Sequence, residues 1–175
     1  MATLTAVCAI SVTLLLLLIL GYIAIRGFGS ISWEFLTDTP KPVGEGGGIG
    51  NAILGSAIMT LLASVIGLPV GIAAGVYLAE YGKNWYGSTV RFVADTLIGT
   101  PSIIVGIFIY TLVVLPMGRQ SALAGSLALA VIMIPIVART TEEMIRLVPT
   151  SMREGALALG APQWRVSWNI VLPAA

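Results

Sequence analysis

The chain has 175 residues, 57% of them hydrophobic and only 10% charged, with a mean hydropathy of +0.98 and a formal net charge of +1. So few charges cannot cover a soluble surface, which ordinarily carries about 25% charged residues, and the near-neutral balance argues against an electrostatic nucleic-acid partner. Histidine is absent and Cys8 is the only cysteine, which excludes histidine acid–base chemistry, an intrachain disulfide, a CxxC redox pair and a cysteine-rich metal site.

Leu4 to Ile25 carries no charge. At roughly 1.5 Å rise per residue, about 20 residues cross the ~30 Å hydrocarbon core, so this run is predicted to be the first span. No basic stretch precedes it and it is longer than the apolar part of a signal peptide, which favours an anchor over a cleaved leader. Arg26 to Gly50 follows as an aqueous loop, with Thr39-Pro40-Lys41-Pro42 and the cluster Gly44-Glu45-Gly46-Gly47-Gly48-Ile49-Gly50. No register of those glycines gives GxGxxG and no GK[ST] follows, so a phosphate cradle is not expected there.

Ile53 to Ala79 is the second predicted span, with Gly67, Pro69, Gly71 and Gly75 inside it. Membrane helices tolerate these residues, and small ones let helices pack closely in lipid. Glu80 to Arg91 is a polar connection. A third span is predicted from Phe92 to Pro116, with Asp95 one helical turn from Arg91 and expected to pair with it. Met117 to Gln120 turns the chain, and Ala122 to Ala138 is the fourth span.

Beyond Val137 come Arg139, Glu142, Glu143, Arg146, Arg153, Glu154 and Arg165, too many charges to span. The first four are expected to form i+3 and i+4 ion pairs on a solvated helix. With four spans, Lys83, Arg91, Arg139, Arg146, Arg153 and Arg165 lie on one side, and Arg26, Lys41 and Arg119 on the other. The basic excess makes the first side cytoplasmic and puts the glycine-rich loop outside.

Ser151 to Glu154 has the S-x-x-E capping-box pattern, so a helix is expected to begin there. Met152, Ala156 and Leu159 would share one face, and Gly160 would stop the helix in the left-handed conformation. Pro162 suits the first turn of a second helix, with Trp164, Trp168, Val171 and Leu172 on one face and Pro173 as its end. Two tryptophans on one face also fit a hairpin resting on lipid. The reading is therefore an all-α polytopic bundle of four spans followed by a cytoplasmic two-helix loop.

Glu154-Gly155-Ala156, Gly160 and Ile170-Val171-Leu172-Pro173 stand at the spacing E-A-A-x3-G-x9-I-x-L-P. This resembles the EAA loop of bacterial ABC-importer permeases, departing only in Gly155, where that family usually has alanine. The resemblance implies that the hairpin fits a cleft on a separate cytoplasmic ATPase, with Glu154 contacting it, Gly160 allowing the turn and Ala156 permitting close approach. ATP would bind the partner chain, and no cofactor this one.

Four further stretches resemble the permeases of phosphate importers: Thr39 to Pro42 with the glycine cluster, Val76 to Gly82, Pro101 to Gly106 and Pro135 to Glu143. That resemblance implies a second related permease subunit, ABC ATPase subunits, an extracytoplasmic phosphate-binding protein, and a multi-pass place in a bacterial or archaeal cytoplasmic membrane. Arg139 is then the candidate for an anion path. A sulfate or molybdate importer would share the EAA loop and differ in the other stretches. A membrane enzyme using Asp95 and Glu80 is a remoter alternative, as is a scaffold without transport. Permeases of this type ordinarily continue through two more spans, so residues 1–175 are expected to be a single permease domain cut short, with a trimmed start.

Overall fold

The computed structural model describes residues 2–42 and 44–175. Every named element among them is helical. The chain divides into two compact units, Met1–Ser56 and Ala57–Ala175.

The first unit holds α1 (Ala2–Gly27), a 3-10 turn at Phe28–Ser30, α2 (Trp33–Thr37) and the start of α3 (Gly50–Glu80). Along α1, Ser11 and Thr13 each donate to the carbonyl four residues back, both at 2.8 Å, so their hydroxyls need no water. Ser32 caps α2 by accepting from the Phe35 amide at 3.1 Å. The glycine cluster closes on α2: Pro40 and Gly47 form an antiparallel bridge, and the Ile49 amide donates to the Phe35 carbonyl at 2.8 Å. A Cβ on Gly48 would strike that carbonyl, and one on Gly50 the carbonyl of Thr37. Close backbone approach is therefore what these two glycines provide.

The second unit contains the rest of α3, α4 (Trp85–Ile98), α5 (Ser102–Ile109), α6 (Leu115–Met117), α7 (Ala122–Leu147), α8 (Thr150–Ala158), α9 (Gln163–Val166) and α10 (Leu172–Ala174). Gly67 of α3 lies against Met133 of α7, Gly71 against Val137 and Gly75 against Thr141. The paired numbers rise together, so α3 and α7 run parallel along a glycine seam. Parallel neighbours require the chain to cross back between them, and α4 to α6 is that crossing.

That crossing corrects the straight third span expected from Phe92 to Pro116. It is two helices bent by 100°, broken at Gly99-Thr100-Pro101 because the residue before a proline disfavours the helical conformation. α1, α3 and α7 are each long and apolar enough to cross a membrane, and the bent pair brings the total to as many as four. The fourth apolar run does not stop at Ala138: α7 continues to Leu147 and carries Arg139, Glu142, Glu143 and Arg146 on the same rod.

Tyr110–Val114 and Ser167–Val171 are wide i+5 turns, and each runs directly into Leu-Pro, at Leu115-Pro116 and Leu172-Pro173. A proline has no N–H, and its ring crowds the carbonyl one turn earlier. Widening that turn relieves the crowding without breaking the helix. Pro173 therefore sits inside a helical turn instead of ending one, contrary to the expectation from sequence.

Candidate functional site

Residues 148–175 fold back on the C-terminal ends of α3 and α7. Ile145, Val148, Ala156, Val166 and Val171 form a buried cluster, with Val76 and Ala79 of α3 packed against it. α8 begins after Pro149, whose extended backbone makes it the N-cap, and no side chain caps the helix. The capping box is thus corrected: Ser151 and Glu154 both lie inside α8, too late to serve its first amides. Glu154 is exposed, as is Gly155, around which a Cβ would meet open space.

Gly160 ends α8 with φ +82°. Its amide donates to Leu157 at 2.9 Å and that of Ala161 donates to Ala156 at 3.2 Å, the two bonds of a Schellman motif. Pro162 is the N-cap of α9, one position earlier than a first-turn proline. Ala156 is buried in the hairpin's own core while Leu159 is 90% exposed, so the shared face expected for Met152, Ala156 and Leu159 is not formed. The close approach that Ala156 permits is to the chain's own helices.

Trp164 and Trp168 are more than half exposed, whereas Val171 is buried. The wide turn at Ser167–Val171 shifts the phase of everything after it, which is why the regular helical spacing misplaced Val171 with the tryptophans. Ile170 and Leu172 are half-buried against the cluster and Pro173 is exposed. Glu154, Leu157, Leu159, Trp164 and Trp168 are thus among the exposed residues of the hairpin, with Met152, Gln163 and Arg165.

Arg139 sits on α7, where the expected i+3 pair of Arg139 with Glu142 and i+4 pair of Glu142 with Arg146 both form, while the partner of Asp95 differs from the one expected. Its Nε meets Asp95 at 2.9 Å, and a terminal nitrogen meets Glu142 at 2.8 Å. Asp95 thus pairs with Arg139 instead of Arg91. Arg91 reaches Glu142 at 2.6 Å, and Arg146 joins the same carboxylate oxygen at 2.5 Å. Glu142 is only 1% exposed, so its carboxylate turns into the bundle, while Glu143 and Arg146 stay on the exposed side of α7 as their charges implied. Arg91 also donates to the carbonyls of Leu78 at 2.6 Å and Gly82 at 2.8 Å, satisfying the C-terminal end of α3.

A second set of contacts mirrors the first. Arg153 of α8 donates to the carbonyls of Ile145 at 2.7 Å and Val148 at 3.0 Å, at the end of α7. It also pairs with Glu80 of α3 at 3.2 Å. Glu80 accepts from Ser167 at 3.2 Å. Glu142 as a hub, and Ser167, were not singled out as site residues from sequence, and Glu80 was named only with Asp95 in the membrane-enzyme alternative, not as a partner of Arg153. The spacing of Arg139, Glu142 and Arg146 did mark Glu142 as paired, but nothing local signals a partner at Arg91.

A seam of parallel apolar helices with a hairpin folded on their ends defines the class: a multi-pass helical membrane protein. Residues 67–175 match the binding-protein-dependent transport system inner membrane components, and the chain belongs to that family. It is 51% identical over 151 residues to the phosphate transport system permease protein PstA of Yersinia pestis, covering 85% of this chain and 51% of that protein. The PstA protein of Xylella fastidiosa (strain Temecula1) is 53% identical over 148 residues, covering 83% and 52%. That of Mycobacterium leprae is 38% identical over 162 residues, covering 90% and 53%. The chain spans about half the length of these curated relatives. Among solved structures, a chain of the MetNI methionine ABC transporter in inward-facing conformations superposes with a TM-score of 0.56 at 23% identity, covering 71% of this chain and 59% of that one. That likeness concerns the fold.

The two hairpin glycines should respond oppositely. Gly155→Ala adds a methyl in open space within a helix and should stabilise the hairpin by roughly 0.5–1 kcal/mol. Gly160→Val forces a β-branched residue to φ +82° and should cost about 1–2 kcal/mol or more. Amide hydrogen exchange across residues 150–172 would check both, as slower exchange in the first variant and faster in the second.

Proposed function

We propose that this chain is a permease subunit of an ATP-binding-cassette importer that carries inorganic phosphate across a bacterial or archaeal cytoplasmic membrane. The observation that carries this reading is the hairpin. It has the E-x-A-x3-G-x9-I-x-L-P spacing, it is anchored by its buried face to the ends of α3 and α7, and its exposed residues, Glu154, Leu157, Leu159, Trp164 and Trp168 among them, are left for a partner. That partner is an ABC ATPase, which binds and hydrolyses ATP and moves the hairpin. The permease chain itself is non-catalytic.

Phosphate as cargo is supported by relatives named as phosphate permeases at about half identity. A second homologous permease subunit and an extracytoplasmic phosphate-binding protein complete the assembly. Arg139 remains the candidate for the anion path: Arg91, Arg139 and Arg146 face the carboxylates of Asp95 and Glu142, which leaves the cluster net positive and favourable to an oxyanion.

Reconstituted in vesicles with its partner subunits, the assembly should show ATP-dependent phosphate uptake, whereas the 175-residue chain alone should neither hydrolyse ATP nor move phosphate. Uptake that sulfate or molybdate competes for as well as phosphate would overturn the cargo. Orientation is checked in a Cys8→Ala background: a cysteine at Gly46 should react with an impermeant thiol reagent from outside and one at Arg153 should not, because the basic excess is cytoplasmic.

A further inference from the structure

On the importer reading, the contacts that fasten the hairpin to the spans are of two kinds. α8 touches the bundle through Ala156, in an apolar contact that can slide, and through Arg153, in directional contacts that cannot. Arg153 holds three things at once, the Ile145 and Val148 carbonyls ending α7 and the Glu80 carboxylate ending α3. Glu80 is 7% exposed and also accepts from Ser167, in the returning arm of the hairpin. Among the described residues, Nε of Arg153 is buried without a hydrogen-bond partner, so the guanidinium is placed for its two terminal nitrogens at the expense of the third.

Arg91 repeats the arrangement in reverse, holding the end of α3 by the Leu78 and Gly82 carbonyls and α7 by Glu142. Each arginine therefore ends one helix and binds the carboxylate of the other, so the parallel helices α3 and α7 are braced twice across. Only the Arg153 brace also includes the hairpin. A push on the outer face of α8 then reaches α3 through Glu80 and α7 through the carbonyls.

We infer that Arg153, Glu80 and Ser167 form a positioning strut that converts displacement of the hairpin into joint movement of α3 and α7. The residues touch neither cargo nor nucleotide; they set how much of the ATPase stroke reaches the spans. Guanidinium geometry matters here, because lysine offers one point charge where arginine serves several acceptors in a fixed fork.

The test uses the assembled importer and compares wild type with Glu80→Gln, Arg153→Lys and the exchanged pair Glu80→Arg with Arg153→Glu. Glu80→Gln keeps the size of the side chain and an acceptor for Ser167, and recovery of the assembled complex checks that the variant folds. Assembly and ATP hydrolysis should stay within about twofold of wild type, while phosphate moved per ATP falls about tenfold, the order expected of a lost coupling contact. Arg153→Lys should retain part of the wild-type ratio and the exchanged pair less, since the exchange keeps the charge pair but not the carbonyl contacts. Uptake and hydrolysis falling together in constant proportion would overturn the strut, as would an unchanged ratio in Glu80→Gln. Hydrogen exchange gives a readout independent of cargo: on adding ATP, α8 and the last turn of α3 should change together in wild type and separately in Glu80→Gln. If wild type moves no phosphate yet the two segments change together in it and separately in Glu80→Gln, the cargo falls and the strut stands. If α3 follows α8 in both, the strut falls.

Discussion

Replacing Glu142 by leucine should be among the most damaging single changes in the chain, lowering stability by about 3–5 kcal/mol. The carboxylate is buried and meets guanidinium groups from Arg91, Arg139 and Arg146. Removing it leaves positive charge packed against positive charge with no counter-ion, a larger penalty than the pairs themselves repay. Arg91 would still hold the Leu78 and Gly82 carbonyls, so the end of α3 should survive while the α4–α7 contact opens. Glu142→Gln should be milder, about 1.5–3 kcal/mol, because an acceptor remains but the charge assistance does not. Glu143→Gln, exposed on the same helix, should stay within roughly 0.5 kcal/mol of wild type. Thermal unfolding of the detergent-solubilised protein would check the order Leu, Gln, then the Glu143 control. Equal midpoints for Glu142→Leu and Glu143→Gln would mean that the buried hub is not what holds α4 to α7.

The spans were legible because apolar length is a property of each segment by itself, and so was the hairpin, whose turn glycine sits at a fixed distance from its neighbours. Gly160 in the left-handed region follows from position alone. The misreadings have two causes: a contact made across the bundle outranked a local one, or a proline reset where a helix begins or how its turns are phased. Asp95 had Arg91 one turn away, yet Arg91 is drawn to the free carbonyls at the end of α3 and to Glu142, which leaves Asp95 to Arg139. Glu154 had the spacing of a capping residue, but Pro149 starts α8 early enough to place it in the second turn. Val171 was phased with the tryptophans because a regular period cannot anticipate a wide turn before Leu172-Pro173. The bend at Pro101 was signalled by the proline, but its size depends on where α4 and α5 each pack on α7.

The glycine seam offers a graded test of the packing on which the site rests. Alanine at Gly67 places its Cβ 3.0 Å from the Met133 sulfur, the end of a flexible side chain that can move aside. At Gly71 the obstacle is stiffer, with the Val137 Cβ at 2.7 Å and the Ile134 carbonyl at 3.1 Å. At Gly75 the new carbon falls 2.5 Å from the Thr141 Cβ and 2.6 Å from the Ala138 carbonyl, so backbone must yield and α3 must part from α7. The expected order of damage is therefore Gly67→Ala, then Gly71→Ala, then Gly75→Ala, the first under about 1 kcal/mol and the last at or above the ~1–3 kcal/mol usual for overpacking. Gly106→Ala on α5, with nothing within 4 Å of the added carbon, is the control. Val137→Ala should rescue part of the Gly71 loss by removing Cγ1, whereas Thr141→Ala should not rescue Gly75→Ala, because the Ala138 carbonyl stays where it is. Gly75 lies within about one and a half turns of Glu80, so parting the helices there also pulls Glu80 from Arg153 and Ser167. Gly75→Ala should accordingly loosen the hairpin as well as the seam, seen as faster hydrogen exchange in α8, while Gly67→Ala leaves α8 unchanged. An equal response of α8 to all three substitutions would show that the hairpin takes its position from something other than the parallel pair.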